Sequence, residues 1–212
     1  MAWFSRITRF GDVHMVYGQE AGMSCGIASV LMCVFKINKL TPGAQAVQVE
    51  KDVYNAYSTA SGAQYKPEKR GTHPTHLVTV LNGLNCGNWA WTNKAGADAS
   101  KFIIEKVGLS GGFGPTVDVS PVIVGVDWDG GGAHWIVIDT IRDFFGTQYA
   151  TICDPWDTNV HIEKVDKSTP FTYKPGEGGL SVDFWGEHKG QTSPYGATDR
   201  GVLKTWGIIH QV

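Results

Sequence analysis

Cys25 lies in the run Gly22-Met-Ser-Cys-Gly-Ile-Ala-Ser29, where a glycine-containing loop gives way to apolar residues at Ile27, Val30, Leu31, Val34 and Phe35. That i, i+3, i+4, i+7 spacing predicts a buried helix opening at Ser24 or Cys25, with Ser24 suited to the N-cap. A thiol at a helix N-terminus faces unpaired backbone N–H groups and the positive end of the dipole, both of which favour the nucleophilic thiolate. Gly22, Ser24, Gly26 and Ala28 are small and would let a substrate backbone approach the sulfur. Gln19, on the loop entering the helix, has a side-chain amide suited to donate, with the Cys25 N–H, to the oxygen of a tetrahedral intermediate.

A thiol nucleophile needs a general base held in one tautomer by a third group. His134 follows the turn Asp129-Gly-Gly-Gly-Ala133 at the start of a β-branched run, and Asp154 ends the next such run in Cys153-Asp154-Pro155-Trp156. If the two runs are antiparallel strands joined through residues 142–147, their outer ends lie together and Asp154 accepts from the His134 ring.

Plainer readings compete at each position. Cys25 could be an inert core thiol, as Cys33, eight residues further into the same apolar helix, and Cys86 are expected to be. Asp154 could simply open an Asp-Pro turn, with Asp139 at the far end of the His134 strand as rival third member, and Gln19 could cap its loop while Glu20 is solvated. His73-x-x-His76 at a helix start lacks the further ligands of a metal site and reads as a surface pair, so no metal or other cofactor is expected. The glycines at 130–132 suit a tight hairpin turn or a floor beside the nucleophile. Trp135 and Trp156 flank the His134–Asp154 pair as shields or as core.

Further helices are predicted from Thr41-Pro42 with a body over 44–57, from Pro74 to Asn82-Gly83, and from Asp98 to Val107 closed by Gly108. After Pro121 the strands 122–127, 134–139 and 149–153 follow in succession. Weaker candidates lie at 160–165, 182–185 and 202–210, with a Pro/Gly-rich excursion from Pro170 to Gly179. Helices first and strands second indicate one α+β domain, helical over about 1–115 and sheet-forming over about 116–212, with a cleft between two layers.

The 212 residues are 42% hydrophobic and 18% charged, with 27 glycines and eight tryptophans, enough for one sizeable core. A net charge of −2 and the absence of a Lys/Arg run give no electrostatic reason to bind nucleic acid or an anionic membrane. No apolar run approaches the roughly 20 residues of a membrane-spanning helix, and the first residues lack the pattern of a secretory signal, so a soluble protein is expected. Four cysteines without a C-x-x-C pair do not form a disulfide framework.

Gln19-x5-Cys25-Gly-Ile-Ala-Ser, then Pro-Val-Ile-Val-Gly-Val, Gly-Ala-His134-Trp-Ile-Val-Ile and Ile-Cys-Asp154-Pro together resemble the papain-like cysteine peptidases. In order and spacing they are most similar to the bacterial double-glycine (bacteriocin-leader) processing peptidases and related secreted effector proteases. The resemblance covers about 16–36 and 121–156. It implies a papain-like fold and hydrolysis of a protein substrate through an acyl-enzyme, with Cys25 attacking, His134 moving the proton, Asp154 orienting it and Gln19 in the oxyanion hole. The export members carry membrane and ATP-binding segments, whereas this chain has no phosphate-binding Gly-Lys-Ser/Thr loop. It therefore looks more like a bacterial effector toxin that leaves its cell without a signal peptide, acts in a target cell's cytoplasm and is matched by an immunity protein. Other readings are a thiol amidase on peptidoglycan, a deamidase or acyltransferase on a host protein, and an inactive binding module that keeps the fold.

Overall fold

The computed structural model describes residues 3–8, 10–40, 47–111, 120–173, 201–203 and 206–212. The fold is α+β, with four helices and a mostly antiparallel sheet. A hairpin of β1 (Trp3–Ile7) and β2 (Val13–Tyr17) precedes α1 (Cys25–Leu40), α2 (Glu50–Ser61) and α3 (Pro74–Gly83). Short β3 (Trp89–Thr92) leads to α4 (Gly96–Val107) and β4 (Ser110–Gly111). The long strands β5 (Val122–Trp128), β6 (Ala133–Phe144), β7 (Thr147–Asp154) and β8 (Asn159–Val165) follow, then β9 (Thr172–Tyr173), β10 (Gly201–Val202) and β11 (Ile208–Gln211).

The main sheet runs β3-β11-β5-β6-β7-β8, and its parallel pairing is the short β4 beside β6. Strands β5 to β8 form a meander of successive hairpins, the shortest route between antiparallel neighbours. Side chains alternate between two covered faces. On β5 and β6, Ile123, Trp135 and Val137 join the core beneath α1, α2 and α3. Val122, Val124, Val126, Ile136 and Ile138 join a second core beneath α4. Coverage on both faces explains why these strands read as near-continuous apolar runs rather than as alternation.

The helices at 74–83 and 96–107 lie where the apolar spacing places them, and Gly108 closes the latter with a positive φ of 80°. Other elements depart from expectation in part. The second helix of the described residues begins at Glu50, where Asp52 accepts hydrogen bonds from the Gln48 and Val49 N–H groups and sets the first turn, while the start expected at Thr41-Pro42 lies outside the described residues. The first half holds the four helices, as expected, together with the short strands β1 to β4. The architecture also has three layers rather than two, because α4 covers the opposite face of the sheet from α1 to α3. The strand expected over 202–210 is two short ones, β10 and β11. The expected strand at 182–185 and most of the excursion to Gly179 lie outside the described residues.

Position 139 carries the main irregularity of the sheet. Strand β6 pairs regularly with β7 up to Ile138↔Ile152, and the register shifts before Thr140↔Thr151, leaving Asp139 as an extra residue.

Candidate active site

Cys25 is the first residue of α1 and is 8% exposed. Ser24 precedes the helix, but its hydroxyl serves the loop rather than the helix. It accepts from the Ala21 N–H at 3.1 Å and lies within donating distance of Glu50 Oε1 (2.8 Å) and the Ala21 carbonyl (3.0 Å). No acidic side chain occupies the first turn of α1. The positive end of that helix is therefore left to the residues around Cys25.

Glu50 anchors this loop from below. The fully buried carboxylate accepts from Ser24 Oγ, from the Glu20 N–H at 3.0 Å and from the Tyr54 hydroxyl at 2.6 Å. Burial pushes its pKa up, against those three donors. Its neighbour Glu20 is exposed yet accepts from the Tyr17 hydroxyl. Tyr65 adds a hydrogen bond to the Met23 carbonyl at 3.0 Å. Nothing in the sequence around residue 50 distinguishes Glu50 from a solvated helical glutamate.

Close packing brings α1 against the start of β6. A Cβ on Gly26 would lie 2.0 Å from Thr72 Oγ1 and 3.0 Å from both Leu77 Cδ1 and Trp135 Cδ1, so only glycine permits this approach. Ser29 donates to the Cys25 carbonyl at 2.9 Å, and Trp135 Nε1 donates to the Thr72 carbonyl at 3.3 Å.

His134 and Asp154 meet through strand register. Val137 pairs with Cys153, which sets Asp154 across from Ile136 and makes His134 its diagonal neighbour on the same face. The His134 Nε2 to Asp154 Oδ1 distance is 2.7 Å, with both residues buried. Asp154 Oδ1 also accepts from the Trp156 N–H at 2.7 Å, and Oδ2 accepts from the Tyr173 hydroxyl at 2.6 Å. Burial alone would raise this carboxyl, but the charge and hydrogen bond of His134, the charge of His161 and the Tyr173 hydroxyl hold it below the usual range. Burial likewise would lower the His134 imidazole, yet the charge and hydrogen bond of Asp154, and after them the neighbouring Cys25 sulfur, raise it from 6.5 to about 10. With Nε2 engaged by Asp154, Nδ1 is the ring atom left for Cys25. Trp128 stacks on the ring at 5.8 Å between centroids.

Cys25 and His134 open onto a cleft of about 530 Å³ lined also by Met23, Thr72, Trp135, Trp156 and Trp206. Gly131 and Gly132 close the β5–β6 hairpin with positive φ, and Gly132 also lines the cleft, so the glycine run serves both purposes expected of it. Gln19 is half-buried, and its side-chain amide donates to the Ala21 carbonyl at 2.8 Å while its Oε1 is buried without a partner among the described residues. Its backbone N–H donates to the Pro155 carbonyl at 2.8 Å, tying the nucleophile loop to the Asp154 turn. Gln19 is not among the residues lining the cleft.

Asp139 is occupied elsewhere. Its carboxylate is 2.5 Å from His14 Nδ1 and 2.8 Å from Lys36 Nζ; burial opposes its charge, but these partners hold its pKa well below the usual range. Cys33, Cys86 and Cys153 are buried free thiols pushed up mainly by burial. The rings of His73 and His76 lie 5.4 Å apart.

Two groups place potential metal-ligating atoms within 4.8 Å of one another: His14, Asp139 and Cys153, and Asp154, Asp157 and His161. Lys36 already neutralises the first, and in the second both Asp154 oxygens are engaged while His161 and Asp157 pair at 2.7 Å. Sequence reasoning did not identify Trp128, Tyr173 or Glu50, which reach the site through tertiary contacts. No family model matches the chain, and no curated protein matches it in sequence.

Proposed function

We propose that this chain is a papain-like cysteine endopeptidase that cleaves a protein substrate through an acyl-enzyme. The observation that carries this reading is the 2.7 Å His134–Asp154 hydrogen bond, with His134 and the helix-terminal Cys25 lining one cleft. An imidazolium beside a thiol at a helix N-terminus is the arrangement in which sulfur reacts as thiolate.

Cys25 Sγ attacks the carbonyl carbon of the scissile amide, and the carbonyl oxygen takes the negative charge. The Cys25 N–H and the Gln19 amide donate to that oxygen, the latter by leaving Ala21 or through its second N–H. His134 gives its proton to the leaving amine as the C–N bond breaks, leaving a thioester on Cys25. A water then attacks the thioester carbon and passes its proton to His134, and the departing thiolate restores the pair. Asp154 keeps the ring oriented and its charge balanced throughout.

The buried, fully hydrogen-bonded carboxylate favours an enzyme over an inactive binding module, because a module has no need to keep His134 charged in the interior. Action as a secreted effector in a target cell rests on the family resemblance, as does a cognate immunity protein. No helix among the described residues is long and apolar enough to cross a membrane.

The test compares the protein termini of a bacterial lysate after incubation with the native protein and with Cys25→Ala. New termini confined to the native sample support the peptidase. New muropeptides from cell-wall fragments, or one-dalton shifts at glutamine without new termini, would move the same thiol chemistry to the amidase or deamidase.

A further inference from the structure

The segment Gly71–Thr72–His73 divides the Cys25 cleft from a second cavity of about 190 Å³, and Gly71 and His73 line both. The two cavities differ in chemistry. The Cys25 cleft is walled by aromatic and apolar groups, with histidine as its charged type of side chain. The second is lined by Arg70, His73 and His76 with Ser61, Gln64, Tyr57 and Tyr65, and by no carboxylate.

The positive charge of this cavity is uncompensated. Arg70 is exposed, and no hydrogen bond or ion pair among the described residues engages its guanidinium. Burial, and after it the neighbouring His73, push the His76 imidazole down, so Arg70 is the permanent cation of this cavity. Arginine stays charged at every working pH and presents a planar fork of donors that matches a carboxylate.

We infer that this second cavity is a substrate subsite for a carboxylate side chain, with Arg70 as its charge-recognising residue. The substrate would then be a peptide with an uncharged side chain in the tryptophan-walled cleft and an Asp or Glu lying along the chain beside it. The inference rests on the peptidase reading for the direction of the chain through the cleft, but its binding chemistry is separable from catalysis. The site is solvent-accessible, so the preference is modest, about two- to fivefold for acid over amide.

Binding to the Cys25→Ala protein tests it by fluorescence anisotropy. Labelled decapeptides carry a single Glu, Gln or Lys at successive positions of an otherwise uncharged sequence, each made with a free and an amidated C-terminus. At one register, amidated Glu peptides should bind about two- to fivefold more tightly than Gln peptides and Lys peptides least well. Arg70→Gln should remove the preference and Arg70→Glu should reverse it towards Lys, with circular dichroism checking that both variants fold. Equal affinities at all registers, a Glu preference that survives Arg70→Gln, or a preference confined to the free C-terminus would overturn the side-chain subsite. Cleavage of the same peptides by the native protein separates the two ideas. Cleavage without charge preference sinks the subsite alone, whereas charge-selective binding with no cleavage and no activated Cys25 sinks the hydrolase alone.

Discussion

His134 and Asp154 stand 20 residues apart in the chain and 2.7 Å apart at Nε2 and Oδ1, on adjacent antiparallel strands whose register makes them diagonal neighbours on one face. The pair is buried, so its attraction is weakly screened and the imidazole is held charged up to about pH 10.

The first prediction concerns the thiols. Iodoacetamide at neutral pH should label Cys25 about tenfold or more faster than Cys33, Cys86 or Cys153, which are buried with burial pushing their thiols up. Peptide mapping of the labelled protein reads this directly. Slow and equal labelling of all four would remove the activated nucleophile, while Cys25→Ala should lower hydrolysis by on the order of 10⁴-fold or more without unfolding the chain.

The second concerns pH. The folded value of about 10 for His134 exceeds the ordinary 6.5, so its pairing stabilises the fold fully below pH 6.5 and the contribution is lost as pH rises through about 10. Asp154 is shifted the other way, so its contribution is lost as pH falls below its ordinary 3.8. Urea midpoints of the native protein and Asp154→Asn should therefore differ most between about pH 4 and 6.5 and converge towards pH 10. A gap that does not change with pH would contradict the shifts.

The third concerns packing. Gly26→Ala puts a methyl 2.0 Å from Thr72 Oγ1 and should cost about 1–3 kcal/mol in urea unfolding. Thr72→Ala in the same molecule should return part of that loss, because Thr72 Oγ1 has no hydrogen-bond partner among the described residues. Strict additivity of the two changes would show that the helix is not held against this segment.

The fourth concerns the loop beneath the nucleophile. Glu50→Ala removes the acceptor of the Tyr54 hydroxyl and the Glu20 N–H and leaves the Ser24 hydroxyl only its Ala21 contacts, and should cost about 2–3 kcal/mol. Glu50→Gln keeps an acceptor and removes a desolvated charge, so it should stay within about 1 kcal/mol of the native protein while slowing Cys25 alkylation less than the alanine change. Equal losses for the two variants would assign the effect to volume rather than to hydrogen bonding.

Sequence alone determined what depends on local order. Apolar spacing after Ser24 places Cys25 at the start of α1, and the β-branched runs that begin near His134 and end at Asp154 are the two strands of a hairpin. Those signals survive because helix and strand periodicity are properties of neighbouring residues. Tertiary structure decided the partners. The bulge at Asp139 sends that carboxylate to His14 and Lys36 and leaves Asp154 for His134, and no periodicity reports a one-residue register shift. Glu50, Trp128 and Tyr173 likewise came to the site from distant segments through burial and hydrogen bonding. Whether a buried polar group has a partner depends on the enclosure formed when distant segments pack together, so spacing along the chain does not encode it.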